Sequence, residues 1–131
     1  MGVYVASSKD PIISFSTINA ESGGLASDLT FLIEFDKMGN AWVGSEQGVD
    51  RIEFGESNTI KQIKHYGKEE GFKGVETNRN ASCIDKQGNL WFGTVAGLMK
   101  YNPKKATKNT LPPKLSLSNV ALFYEDLSKT K

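Results

Sequence analysis

Two stretches of this chain repeat each other almost word for word. Residues 36–45 read DKMGNAWVGS and residues 85–94 read DKQGNLWFGT, and forty-nine residues separate Gly39 from Gly88. A fixed period of this length means one supersecondary unit written more than once, which constrains the fold more than any composition does. The likeness runs beyond the core words. Upstream, Gly24-Leu25 and Gly74-Val75 correspond, with a one-residue contraction before Asp85. Downstream, GVDRIEF (48–54) matches GLMKYNP (97–103). A third copy, lacking its beginning, is expected at the start: VYVAS (3–7) aligns with LWFGT, setting Tyr4 where Trp91 stands, and PIISF (11–15) takes the place of the following strand. On that alignment the chain begins in mid-repeat.

Each unit reads as a four-stranded antiparallel meander. LTFLIEF (29–35) and NASCI (80–84) are the first strands, and each runs into the turn DKMGN or DKQGN. Aspartate accepts hydrogen bonds from nearby backbone N–H groups, while glycine and asparagine tolerate the positive φ that a tight hairpin demands. AWVGS and LWFGT then form second strands, and VDRIEF and LMKYN third strands, with Gly48 and Gly97 at the links. TIKQIKHY (59–66) alternates apolar and polar residues, as a half-exposed outer strand does. A four-stranded unit of 40 to 50 residues, with Trp in one strand and Gly at its turns, is a β-propeller blade. Two unrelated hairpins of a β-sandwich would leave the shared Gly–Asn–x–Trp–x–Gly–Ser/Thr spacing unexplained. The fold expected is all-β: about two and a half blades, comprising a partial blade (1–23), a complete blade (24–73) and a further blade (74–110), then 111–131.

Composition narrows the functions. The chain has 131 residues with 16 basic and 15 acidic side chains, a net charge of +1, which argues against nucleic-acid binding through a broad basic face. No apolar run is long enough to cross a bilayer, so no direct membrane contact is expected, and MGVYVASSKDP has no signal-peptide pattern. Cys83 is the one cysteine and His65 the one histidine. Neither a disulfide nor a metal or other cofactor is therefore expected.

The motif D-x-x-G-N-x-W-x-G-[ST]-x-x-G-[LV] resembles the two-component regulator propeller repeat. Asp36, Gly39, Asn40, Trp42, Gly44, Ser45 and Gly48 match it in one copy, and Asp85, Gly88, Asn89, Trp91, Gly93, Thr94 and Gly97 in the other. In that family the repeat fills extracytoplasmic sensor regions of hybrid histidine kinases of Bacteroidetes type. The resemblance implies a periplasmic segment of an inner-membrane-anchored sensor, joined to the rest of its propeller. GVETNRNAS (74–82) resembles the last blade before such a propeller ends. LPPKLSLSNVALFYED (111–126) resembles the opening of the immunoglobulin-like domain that follows it, with Pro112-Pro113 as a stiff link.

Single residues have plainer readings to beat. Trp42 and Trp91 suit sugar stacking, but their place in a central strand favours packing between blades. Asp36 and Asp85 lack the dense oxygen spacing of a calcium loop, so turn formation is the better reading. Cys83 is expected as a buried small hydrophobe in an innermost strand, and His65 as a surface residue. Asn80-Ala81-Ser82 matches a glycosylation sequon that a strand in a bacterial protein would not use, and Lys104, Lys105, Lys108 and Lys114 read as a solvated loop. Ligands of propellers meet the loops where the fourth-to-first and second-to-third connections emerge. Here those loops carry Ser27 and Asp28, Glu46 and Gln47, and Thr77, Asn78 and Arg79. Arg79 among amide side chains suits sugar hydroxyls or a uronate carboxylate. Asp28, Glu46, Gln47, Asn78 and Arg79 are the candidate ligand residues, and an oligosaccharide is the ligand the resemblance implies.

Three function classes follow. A sensory binding module would relay an external cue to a kinase, with no catalytic residue in this segment. A propeller enzyme, a lyase or lactonase, needs acid–base or metal groups at the channel mouth, which a single outer-strand histidine serves poorly. An interaction scaffold without signalling is the third, since fold does not dictate function. Two and a half blades would also leave apolar faces and strand edges uncovered, so self-association of the chain is expected.

Overall fold

In the computed structural model, described for residues 2–7, 14–106, 121–122 and 125–126, the repeat becomes a stack of antiparallel sheets. The first pairs β1 (Val3–Ser7) with β2 (Ser14–Ile18), followed by one turn of helix, α1 (Ala20–Gly23). The second runs β3 (Thr30–Phe35), β4 (Ala41–Ser45), β5 (Gly48–Phe54) and β6 (Ile60–Tyr66) in sequence order, a four-stranded meander. The third holds β7 (Thr77–Ile84), β8 (Leu90–Thr94) and β9 (Gly97–Tyr101). Neighbours in sequence are neighbours in space, the up-and-down order of propeller blades. The expected immunoglobulin-like opening lies outside the described residues, apart from a short backbone pairing of β10 (Ala121–Leu122) with β11 (Glu125–Asp126).

Strand alternation sends the second sheet's side chains to two different neighbours. Leu32, Trp42 and Val49 of the second sheet meet Leu90 and Phe92 of the third, with Phe72 from the connection and Tyr66, Met99 and Tyr101 packed alongside. The opposite phase, Ala41, Val43 and Ile52, meets Ile18 and Leu25, with Val3, Val5, Phe54 and Ile63 at the margin. All five residues of β4 are buried, since it has a strand on each side and side chains packed against a neighbouring sheet on each face. Gly44 lets the sheets approach, since a Cβ there would stand 2.6 Å from the Thr77 hydroxyl and 2.7 Å from Leu32. Thr77 uses that proximity to donate a 3.1 Å hydrogen bond to the Ser45 carbonyl.

The aspartate of the motif proves to be a hub. Asp36 Oδ1 accepts from the backbone N–H groups of Met38 (2.9 Å) and Asn40 (3.0 Å). Its Oδ2 accepts from the Asn40 amide (2.8 Å) and the Trp42 indole (3.0 Å). Asp85 repeats this with Asn89 N–H and amide, both at 2.8 Å, and the Trp91 indole at 3.0 Å. Gly39 and Gly88 take φ of +83° and +85° to close the turns, the left-handed region that a side chain opposes. At the second link the hydroxyl position acts in the same way in both copies. Ser45 and Thr94 accept from the N–H of Gln47 and Ala96 and donate to the carbonyls of Gly48 and Gly97. The motif is thus a turn-and-anchor device: one carboxylate fixes the hairpin and aims the indole into the space between blades.

The start of the chain corrects one expectation. Val3 pairs with Ile18, as Val49 pairs with Tyr66, and Ile18 leads into Gly24-Leu25 as Tyr66 leads into Gly74-Val75. A Cβ on Gly2 would strike the Ile18 carbonyl at 2.5 Å, and one on Gly48 would strike the Tyr66 carbonyl at 2.4 Å. VYVAS is therefore the counterpart of VDRIEF, the third strand, and the strand after it is Ser14–Ile18. Tyr4 stands where Asp50 does, not where Trp91 does. Cys83 is also corrected: it is exposed, because it pairs with Trp91 on the phase of the third sheet that points away from the second.

Candidate functional site

The link before β3 and the β4–β5 turn are joined by side chains. Ser27 is buried, donates its hydroxyl to Glu46 Oε1, and accepts from the N–H of Leu29 at 3.0 Å. The other Glu46 oxygen, Oε2, is buried without a hydrogen-bond partner. Asp28 Oδ1 accepts from the N–H of Ala20 at 2.7 Å, closing the link over α1. Gln47 is exposed, and its backbone N–H donates to the Ser45 hydroxyl at 3.1 Å. Thr77 is buried beneath this turn through its bond to Ser45.

Asn78 and Arg79 depart from expectation. They lie within β7, exposed, inside the stretch between Thr77 and Ser82 where the β7–β8 register is interrupted, with Asn80 at a φ of +53°. Among the described residues, no hydrogen bond or ion pair joins either to Asp28, Glu46 or Gln47. The structure therefore brings Ser27, Asp28, Glu46, Gln47 and Thr77 to one end of the sheets. It leaves Asn78 and Arg79 as strand residues.

A buried carboxylate missed in the sequence holds this end together. Asp50 is 1% exposed, shares its strand phase with Ile52, and accepts from the N–H of Ala26 at 2.8 Å. Its second oxygen is 2.7 Å from His65 Nδ1 on the facing strand, so His65 is the partner of a buried carboxyl group and not merely a surface residue. The signal was present in the alternation, which puts Asp50 at an inward position directly opposite the chain's one histidine. Among the described residues, no group of three or more His, Cys, Asp or Glu is placed to hold a metal ion.

Electrostatics sets the motif carboxylates in their charged form. At Asp36 burial is the largest influence and opposes ionisation. Hydrogen bonds from the Asn40 amide, the Trp42 indole and two backbone N–H groups together outweigh it, and the carboxyl lies below its ordinary range. At Asp85 the Asn89 amide is the leading influence, with the Trp91 indole adding to it, and the carboxyl lies well below the ordinary range. Burial pushes the Tyr101 phenol up to about 12, helped by a hydrogen bond with Tyr66.

Between the second and third sheets sits an aromatic seam. Trp42 lies 4.5 Å from Tyr101 and 5.3 Å from Tyr66 by ring centres, and Tyr66 meets Tyr101 edge-on at 5.5 Å. Arg51 sits over Trp42, with its guanidinium carbon 5.8 Å from the ring centre, and Lys100 sits over Trp91 at 4.7 Å. The two tryptophans thus share carboxylate, cation and register. They differ in cover: Trp42 is 1% exposed, whereas Trp91 is only half-buried.

Residues 74–96 match the two component regulator propeller family. Histidine kinase P4 of Formosa agariphila is 33% identical over 114 residues, a match that takes in 87% of this chain and 8% of that protein. This chain thus spans a small part of the length of that relative. The family's motif stands twice in one register, each copy builds the same carboxylate-anchored hairpin, and the sheets stack in blade order: the chain is a segment of two-component regulator propeller repeats.

Proposed function

We propose that this segment is part of the periplasmic sensory propeller of a two-component signalling protein, and that it carries no chemistry of its own. The observation supporting this is the pair of in-register motif copies, in a chain whose relative is a histidine kinase. Signalling through such a module requires the cue to bind one arrangement of the sensor better than another, because a ligand shifts an equilibrium only by its differential affinity. The link 24–29 and the 46–47 turn form the ligand end in this reading. Their side chains are already engaged with one another, through Ser27 to Glu46 and Ala26 to Asp50. An oligosaccharide is the class of cue proposed, offered hydroxyl partners by Glu46, Gln47 and Asp28.

The test is autophosphorylation of the full-length protein in membrane vesicles, with and without oligosaccharide mixtures. Phosphorylation that changes with one mixture, and loses that change with Gln47→Ala, supports the reading. Phosphorylation indifferent to every mixture contradicts the cue. A fusion of alkaline phosphatase after residue 106 of the full-length protein tests the compartment separately: it is active if that point is exported and inactive if it stays inside.

A further inference from the structure

The seam between the second and third sheets joins two unlike faces. The second sheet contributes Leu32, Trp42 and Val49, and the third inserts Leu90, Phe92, Met99 and Tyr101 against them. On its far side the third sheet carries the receiving face again. Val49, paired with Gly44, has its counterpart in Leu98, paired with Gly93. Trp91 repeats Trp42, with Lys100 over its ring in place of Arg51. The difference is cover: Val49 is 0% exposed, whereas Leu98 is 66% exposed. A Cβ on Gly44 would first meet the Thr77 hydroxyl of the third sheet, at 2.6 Å. On Gly93 the three nearest atoms all belong to Ala81 of the same sheet. Among the described residues, the third sheet thus presents an uncovered receiving face.

The matching inserted face stands uncovered at the other end of the stack. Val3, Val5 and Ile18 pack toward the second sheet, so alternation turns Tyr4, Ala6 and Phe15 the other way. Tyr4 holds the repeat position of Met99 and Ala6 that of Tyr101, while Phe15 stands opposite Ala6 as Ile63 stands opposite Ile52. Tyr4 and Phe15 are both largely exposed. We propose that the third sheet of one copy of this chain receives the first sheet of a second copy, head to tail, in the geometry of the seam already built between the second and third sheets. A second copy is the occupant because its first sheet offers the inserted phase of the repeat with no sheet against it. The contact takes Leu98, Tyr4 and Phe15 out of water, and the uncharged Tyr4, Ala6, Phe15 and Thr17 set no like charge against Lys100. The first sheet has no counterpart of Leu90 or Phe92, so Trp91 keeps an open side. Two copies joined at both ends hold six stacked sheets, within the ~4–8 at which propellers close, so association stops at a dimer rather than growing into a filament. The contact is independent of the signalling reading.

Sedimentation equilibrium of the chain, of its Leu98→Lys and Phe15→Lys variants, and of their equimolar mixture tests the proposal. The unaltered chain should approach the mass of two copies as concentration rises. Each variant alone should associate at least about tenfold more weakly, because either change spoils both junctions of the ring. Mixing the two should recover dimer, since the Phe15→Lys copy keeps an intact third sheet and the Leu98→Lys copy an intact first sheet. An NOE between Trp42 and Phe92 shows that each variant has kept its fold. A monomer up to about 1 mM, undiminished dimer in either folded variant, or a mixture no more associated than its components would overturn the head-to-tail contact. Mass growing beyond two copies would overturn the closed dimer.

Discussion

Replacing Asp36 with alanine removes four hydrogen-bond acceptor contacts from one hairpin: two backbone N–H groups, the Asn40 amide and the Trp42 indole. The Met38 N–H, in the exposed part of the turn, can turn to water. The two buried side-chain donors, the Asn40 amide and the Trp42 indole, cannot, because Asn40 is 4% exposed and Trp42 is 1% exposed. A buried donor left without an acceptor costs about 1–3 kcal/mol, so two of them should cost about 2–6 kcal/mol. That range is a large fraction of the ~5–15 kcal/mol by which domains of this size are stable. Asp85→Ala removes the corresponding bonds from the third sheet, but there the Trp91 indole is only half-buried and water can take over as acceptor. Its loss should be clearly smaller. Urea unfolding followed by tryptophan fluorescence, with both variants at equal protein concentration, measures the difference. Equal losses for the two variants, or a loss below about 1 kcal/mol for Asp36→Ala, would refute the claim that cover by the next blade gives the repeated carboxylate its weight.

Other consequences follow from the same geometry. Both motif carboxyls titrate below their ordinary values when folded, so their stabilisation is complete above about pH 4 and is lost as pH falls through the folded values; the urea midpoint should drop on that side, and Asp36→Asn should flatten the drop. Gly44→Ala should cost about 1–3 kcal/mol, because its Cβ meets Thr77 and Leu32 between two packed sheets, whereas Gly39→Ala meets nothing within 4 Å and should lose only about 1 kcal/mol through its positive φ. Asp50→Ala should abolish the slow amide exchange of Ala26 while leaving the Trp42 indole protected, and uniform loss of protection would contradict the local role given to Asp50. Tyr4, Phe15 and Leu98 are 69%, 70% and 66% exposed, and sedimentation should reveal concentration-dependent self-association that a Leu98→Lys change weakens; a monomer at every concentration contradicts this.

The repeat made much of the fold readable, because its signals are local. The strands 41–45 and 90–94, the glycine turns and the third and fourth strands of the complete unit all follow from alternation and turn chemistry within a few residues. VYVAS resembles the Trp-bearing strand in composition, but its link fixes its place: Gly2-Val3 is the same dipeptide as Gly48-Val49, and the glycine sits there because a strand-four carbonyl crosses it. What lay beyond reach depended on which face meets which neighbour. The aspartate was read as a turn former, yet its grip on the indole six residues away needs the hairpin register to be seen. Cys83 was expected to be buried because it stands in a first strand, but its phase points away from the second sheet. Asn78 and Arg79 were read as loop residues because β7 begins earlier than NASCI, with an irregular register that alternation does not reveal. Asp50 and His65 were legible only jointly, through the pairing of β5 with β6.

The measurement that bears most directly on the blade stack is the behaviour of the two indole N–H groups in solution. Both donate 3.0 Å bonds to an aspartate, so hydrogen bonding alone would protect them equally. Packing of the third sheet over Trp42 predicts slow solvent exchange for its indole N–H, much faster exchange for that of Trp91, and NOEs from Trp42 to the rings of Phe92 and Tyr101. Equal exchange at the two indoles, with no NOE linking Trp42 to the third sheet, would contradict the propeller arrangement.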